Sequence, residues 1–189
     1  MNVKRIALFA SGSGSNAENI INYFADNEQV VVDSLWSNKP NAYALERARK
    51  LGVETFVFNR EQLYNGESIV QKLKARKTDL VVLAGFLWLV PVNLIQNFTL
   101  VNIHPALLPK YGGKGMYGMN VHKAVVQNGE KETGISIHLV NEKYDEGKIV
   151  LQEKCKVLPT DKPEDVAKKV HQLEYKYFPV AIEQLLMHL

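Results

Sequence analysis

Leu80-Val81-Val82-Leu83-Ala84 is apolar at all five positions, so a strand built from it has no polar side to turn toward water. Such a strand needs cover above and below, the situation of a parallel sheet with helices on both faces. The flanking sequence repeats the arrangement. Short β-branched runs at 6–10, 30–36, 55–58, 80–84 and 100–103 alternate with segments of helical period at 16–24, 42–51, 67–74 and 92–97. That alternation predicts βαβ units. A helix over 121–127 and strands over 133–140 and 149–157 follow, and Pro163, well suited to a first helical turn, opens a terminal helix reaching about Met187. The expected fold is α/β: a doubly wound, mostly parallel sheet of Rossmann type, with an antiparallel extension at its C-terminal end. No linker, repeat or low-complexity segment divides the chain, so one domain over 1–189 is expected.

Composition narrows the class. Hydrophobic residues at 46% and charged residues at 23% are ordinary globular values, which exclude disordered, collagen-like and coiled-coil chains. Cys155 is the only cysteine, so no internal disulfide can form. That suits a reducing compartment, and a cytoplasmic location is expected. The net charge of +3 arises from 23 basic and 20 acidic residues that are mostly interspersed. Without a basic stripe, nucleic acid is not an expected partner. The apolar run after Arg5 stops at Ser11-Gly12, too short for the core of a signal peptide, and no window reaches the ~18 apolar residues of a spanning helix. No membrane partner is expected. Small-molecule ligands remain, bound by a monomer or a homodimer.

Two motifs carry chemistry. Ser11-Gly12-Ser13-Gly14-Ser15-Asn16 lies between the first strand and the first helix, where free backbone N–H groups and the helix dipole favour an anion. Two other readings stay open there. Gly12-x-Gly14-x-x-Ala17 fits a relaxed dinucleotide fingerprint, but that needs an acid at the end of the second strand, where the chain has Ser37-Asn38 and where Asp33 comes too early. A tight turn with Asn16 capping the helix fits as well. The second motif, Asn102-Ile103-His104-Pro105, ends the fifth strand, the place where open α/β sheets bind ligands. Residues two apart on a strand share a face, so the Asn102 amide and the His104 imidazole can converge on one small group. The alternative is a polar pair that satisfies buried backbone at a strand end. Between residues 111 and 118 four glycines in eight positions predict a mobile loop of the kind that covers sites.

Asn102-x-His104-Pro105-Ala106-Leu107-Leu108-Pro109, preceded by Val82-Leu83-Ala84-Gly85-Phe86, resembles the folate-dependent formyltransferases, and the resemblance covers nearly the whole chain. Gly14-Ser15-Asn16 and Asp145-x-Gly147 narrow it to the formyltransferases that act on glycinamide ribonucleotide. Methionyl-tRNA formyltransferases carry a further C-terminal domain and formyltetrahydrofolate hydrolases a further N-terminal one; at this length neither is expected here. The resemblance implies an enzyme of de novo purine biosynthesis. It would move the formyl group of 10-formyltetrahydrofolate, as co-substrate, to the substrate amine by direct attack through an oxyanion, without a metal.

By the same resemblance Asn102, His104 and Asp145 would be the catalytic trio. Asn102 and a protonated His104 would stabilise the oxyanion, and Asp145 would orient the imidazole and relay a proton. On its own, Asp145-Glu146-Gly147 reads as a turn. Gly14, Ser15, Asn16 and Glu174 would hold the ribonucleotide. Leu87, Trp88, Leu89 and Val90, with Asn102, would line the pterin pocket, and Arg60 would meet the carboxylate tail of the folate. His171 shares a helix face with Glu174 and so lies within reach of a phosphate there, a solvated face being the alternative. His122 would be accessory. The chain departs from the family in carrying Trp88 where arginine is frequent, Ala106 for a common serine, and a longer loop at 111–118. Two further functions stay open: transfer to a different amine, and a non-catalytic nucleotide-binding module.

Overall fold

The structure, a computed structural model, describes residues 3–189. Strands β1 (Lys4–Phe9), β2 (Val30–Ser37), β3 (Glu54–Val57), β4 (Leu80–Leu83), β5 (Thr99–His104), β6 (Glu132–Leu139) and β7 (Ile149–Lys156) form one sheet in the order β3-β2-β1-β4-β5-β6-β7. The first five run parallel, whereas β6 pairs antiparallel with β5 and β7 antiparallel with β6. This is the expected fold class, with the C-terminal strands reversed as anticipated.

The alternation of strand side chains explains the layering. Ile6 and Leu8 of β1, Leu80 and Val82 of β4, and Val101 and Ile103 of β5 face one way. There they pack against α1 (Ser15–Tyr23), α2 (Tyr43–Lys50), α6 (Met119–Gln127) and α7 (Pro163–Leu186). Ala7, Phe9, Val81, Leu83 and Leu100 face the other way, against α3 (Arg60–Tyr64), α4 (Ser68–Ala75) and α5 (Val92–Asn97). Each fully buried branched side chain in these layers contributes about 1.5–3 kcal/mol of transfer free energy, so a polar residue in β4 would cost the core on either face.

The structure adds one element and adjusts others. Helix α3 was not expected; Asn59 caps it by accepting from the Gln62 N–H at 2.9 Å while the Gln62 side chain returns to the Asn59 N–H at 2.8 Å. Helix α6 starts at Met119, two residues before the expected Val121. Residues 111–118 also pack more than their glycine content predicts, since Tyr111 and Met116 lie against the main core.

Strand order places the functional region. The chain leaves β1 toward β2 on one side, and β4 lies on the other, so the carboxyl ends of β1 and β4 flank a topological switch point. Across it Ser11 N–H donates to the Gly85 carbonyl at 3.0 Å, and Ser11 Oγ donates to Asn38 Oδ1 at 2.7 Å.

Candidate active site

A cavity of about 710 Å³ opens at this crevice. Its walls come from the ends of three neighbouring strands: Gly12–Asn16 after β1, Leu83–Val90 after β4, and Asn102–Pro105 closing β5. Residues 113–119, Val140–Asp145 and the α7 face bearing His171 and Glu174 complete it.

At the β1 end, Gly14 is the N-cap of α1 with φ +75°, a left-handed conformation that favours glycine. A Cβ there would lie 2.5 Å from Ala44 Cα. Only glycine therefore lets the loop lie against α2, where Ala44 N–H donates to the Gly12 carbonyl at 3.1 Å. Asn16 does not cap the helix. It lies inside α1, and its Nδ2 donates to Glu174 Oε2 at 3.0 Å, because the backbone already turns into the helix at Gly14. The same Glu174 oxygen meets His171 Nδ1 at 2.8 Å, and that hydrogen bond raises the His171 pKa. The dinucleotide reading loses its acid as well. Asp33 is buried between Arg5 and Arg76, and Asn38 is occupied by Ser11.

At the β5 end, His104 is 3% exposed, and its Nε2–H donates to the Tyr111 carbonyl at 2.7 Å. A carbonyl can only accept, so Nε2 keeps its proton and Nδ1 is the nitrogen that faces Asp145 Oδ2, 3.5 Å away. Asp145 has φ +56° and accepts the Gly113 N–H on Oδ2 at 2.9 Å. Burial acts to raise its carboxyl pKa, but His138, His104 and the Gly113 N–H outweigh burial and hold it below the ordinary value. For His104 burial prevails over Asp145, and its pKa is lowered. Burial thus disfavours, in the free site, the charged ring that stabilising an oxyanion would call for.

That assignment can be tested on the free protein. The His104 ring, followed by NMR, should titrate with a midpoint below the ordinary imidazole value of about 6.5. In Asp145→Asn the midpoint should fall further, since that carboxylate is the main influence opposing burial. A midpoint above the ordinary value would show that Asp145 and the Tyr111 carbonyl prevail over burial.

His138 was not among the residues expected from the sequence. It pairs directly across the sheet with Asn102. Its Nδ1–H donates to the Leu139 carbonyl at 2.9 Å, which leaves Nε2 to accept one hydrogen of the Asn102 amide at 3.1 Å. The second amide hydrogen of Asn102 remains for the cavity. His138 Nε2 also lies 3.5 Å from Asp145 Oδ1, so Asp145 sits between two imidazoles. His122 is buried too, with Nδ1 unpaired among the described side chains, and burial lowers its pKa.

The expected pterin segment lines the cavity at Leu87, Trp88, Leu89 and Val90. Leu87 N–H is held by Ser11 Oγ at 3.1 Å, and the Leu89 carbonyl accepts the Tyr64 hydroxyl at 2.8 Å. Arg60 is not brought into the cavity wall. Its guanidinium is exposed and lies over Tyr64 at 5.2 Å and over Trp88, which lines the cavity, at 6.0 Å.

Comparison with known proteins agrees with this layout. The model of the formyl transferase family matches residues 4–182. A phosphoribosylglycinamide formyltransferase from Arabidopsis thaliana chloroplasts is 41% identical over 93% of this chain, which spans 63% of that relative's length. The phosphoribosylglycinamide formyltransferase of Escherichia coli strain K12 is 34% identical over 94% of this chain and 84% of its own. The crystal structure of glycinamide ribonucleotide transformylase 1 from Geobacillus kaustophilus superposes with a TM-score of 0.86 at 31% identity, covering 98% of this chain and all of that one. With the strand order, the cavity at the switch point and these matches in hand, the chain belongs to the formyl transferase family and, within it, to the phosphoribosylglycinamide formyltransferase group.

Proposed function

We propose that this chain transfers the formyl group of 10-formyltetrahydrofolate to the amine of glycinamide ribonucleotide, as a step of de novo purine biosynthesis. The observation that carries the proposal is the meeting of two unlike subsites in one cavity. A helix N-terminal loop suited to a phosphate lies at one end, and Asn102, His104 and Asp145 converge at the other. A single formyltransferase domain fits the one continuous sheet. Among the described residues no helix is long and apolar enough to cross a membrane.

The geometry supports the following course of reaction. The amine nitrogen bonds to the formyl carbon, and the carbonyl electron pair moves onto oxygen. The free hydrogen of Asn102 donates to that oxygen, and one preorganised donor of this kind is worth about 3 kcal/mol. Nδ1 of His104 takes the proton lost by the amine and becomes an imidazolium beside the oxyanion, stabilised by Asp145. When the carbon–nitrogen bond to the folate breaks, the same proton passes to the departing nitrogen. His138 keeps Asn102 aimed throughout. The ribonucleotide phosphate occupies Gly14–Asn16, with Glu174 on the ribose. The folate lies along Leu87–Val90, where Trp88 offers an indole face. Arg60, exposed beside Trp88, would meet its carboxylate tail.

An absorbance assay of donor consumption tests the proposal. Consumption should require glycinamide ribonucleotide; consumption without acceptor would indicate hydrolysis, and tight NAD binding without folate binding would indicate a nucleotide-binding module. The two subsites are also separable. Gly14→Ala, forced against Ala44, should raise KM for the ribonucleotide at least about tenfold and leave KM for the folate within about twofold. Equal effects on both constants would show that the loop does not hold the ribonucleotide.

A further inference from the structure

The segment following Pro109 does more than join β5 to α6. Tyr111 has φ +57°, a conformation that a bulky aromatic residue rarely adopts. With it the Tyr111 carbonyl turns toward His104 Nε2, at 2.7 Å. Two residues on, Gly113 N–H donates to Asp145 Oδ2 at 2.9 Å. Between them Gly112 passes so close over the site that a Cβ would lie 2.6 Å from Leu108 Cδ2 and 3.3 Å from Asp145 Cβ. Residues 111–113 thus touch both members of the His104–Asp145 pair.

A backbone in this conformation persists only where its surroundings hold it. The hold is visible at the Tyr111 side chain, which points away from the cavity. Its hydroxyl donates to Glu130 Oε1 at 2.9 Å and accepts from Asn128 Nδ2 at 3.0 Å. Glu130 is in turn gripped by Lys110 Nζ at 2.9 Å. Asn128 and Glu130 lie at and just beyond the C-terminal end of α6, which is packed into the core through Val121 and Val125. Tyr111 itself is not part of the cavity wall.

We propose that Tyr111 is a positioning residue for His104 and Asp145: its hydroxyl, pinned on Asn128 and Glu130, fixes a left-handed strap over residues 111–113 that holds both groups in register. The proposal rests on the reaction above for its kinetic consequence, and on geometry alone for its structural one. Misplacing a reacting group by an ångström costs orders of magnitude in rate, so loosening the strap acts on turnover and not on substrate affinity.

Tyr111→Phe removes only the hydroxyl. The expected result is a kcat lower by about tenfold with both KM values within about twofold of wild type. Without any substrate, the NMR titration of His104 should also move to lower pH. The groups acting on that ring are Asp145, the Tyr111 carbonyl, His138 and Glu174, and a weakened bond to the carbonyl withdraws one of those that favour its protonated form. Glu130→Ala, which leaves the Asn128 bond, should move both quantities in the same direction by less, and the double variant should add little to Tyr111→Phe, because the hydroxyl that both partners hold is already gone. Unchanged His104 titration in Tyr111→Phe and Glu130→Ala would overturn the proposal, as would a loss confined to KM. If the reaction itself were misassigned, transfer activity would be absent from wild type while the His104 titration still moved.

Discussion

Asp145→Asn is expected to lower kcat by about a thousandfold while the protein stays folded and binds both substrates. The replacement is nearly isosteric, and its amide oxygen can still accept the Gly113 N–H that Oδ2 accepts in wild type. Only the charge is lost. That charge lies 3.5 Å from His104 Nδ1 and 3.5 Å from His138 Nε2. Without it the imidazolium formed during attack has no counter-ion, in a site where burial already disfavours the charged ring. His104→Ala should lose as much turnover, since it removes both the proton carrier and the positive charge that forms beside the oxyanion. Steady-state kinetics with thermal unfolding of each variant provide the check. A rate within about tenfold of wild type in either would remove that residue from the chemistry.

The acid limb of stability has the same origin. Asp145 has a lowered pKa in the folded state, so its contribution is present above the unfolded value and is lost as pH falls through the folded one. His104, lowered by burial, works in the same direction: below the ordinary imidazole pKa the unfolded chain gains a proton that the folded chain refuses.

What the sequence could reveal depended on how local each signal was. Strand β4 was legible because burial on both faces leaves an unbroken apolar run. The pair Asn102 and His104 was legible because a strand places alternate residues on one face. His138 was not, because its relation to Asn102 is a register across β5 and β6, and 27 residues separate these strands. No periodicity within either strand carries that register. The capping pair Asn59 and Gln62 was a readable signal for α3, but five helical residues are too few to show a period. Arg60 is a different case: its contacts with the aromatic faces of Tyr64 and Trp88 depend on three-dimensional packing, and Trp88 is a position where the chain departs from the family.

Gly147→Ala is expected to damage stability and turnover together. The glycine of Asp145-x-Gly147 passes so close beneath the end of β6 that a Cβ would fall 1.6 Å from the Leu139 carbonyl oxygen and 3.3 Å from His138 Nδ1. No side-chain rotation can relieve a contact with backbone, so the chain itself must move by more than an ångström. The Leu139 carbonyl is the acceptor that fixes the His138 tautomer, and Leu139 N–H is tied to the Lys148 carbonyl at 2.9 Å, one residue past the substitution. Separating these strands undoes both bonds and displaces Asp145 two residues upstream. Overpacking of this severity costs about 3 kcal/mol, equivalent to a fall in Tm of roughly 10 °C for a chain of this size. Well below that Tm, kcat should still be down about a hundredfold, because His138 no longer aims Asn102 and Asp145 has shifted from His104. Gly12→Ala is the control for stability, since a Cβ there meets nothing within 4 Å. Equal Tm values for the two variants would show that the close approach at Gly147 does not shape the site.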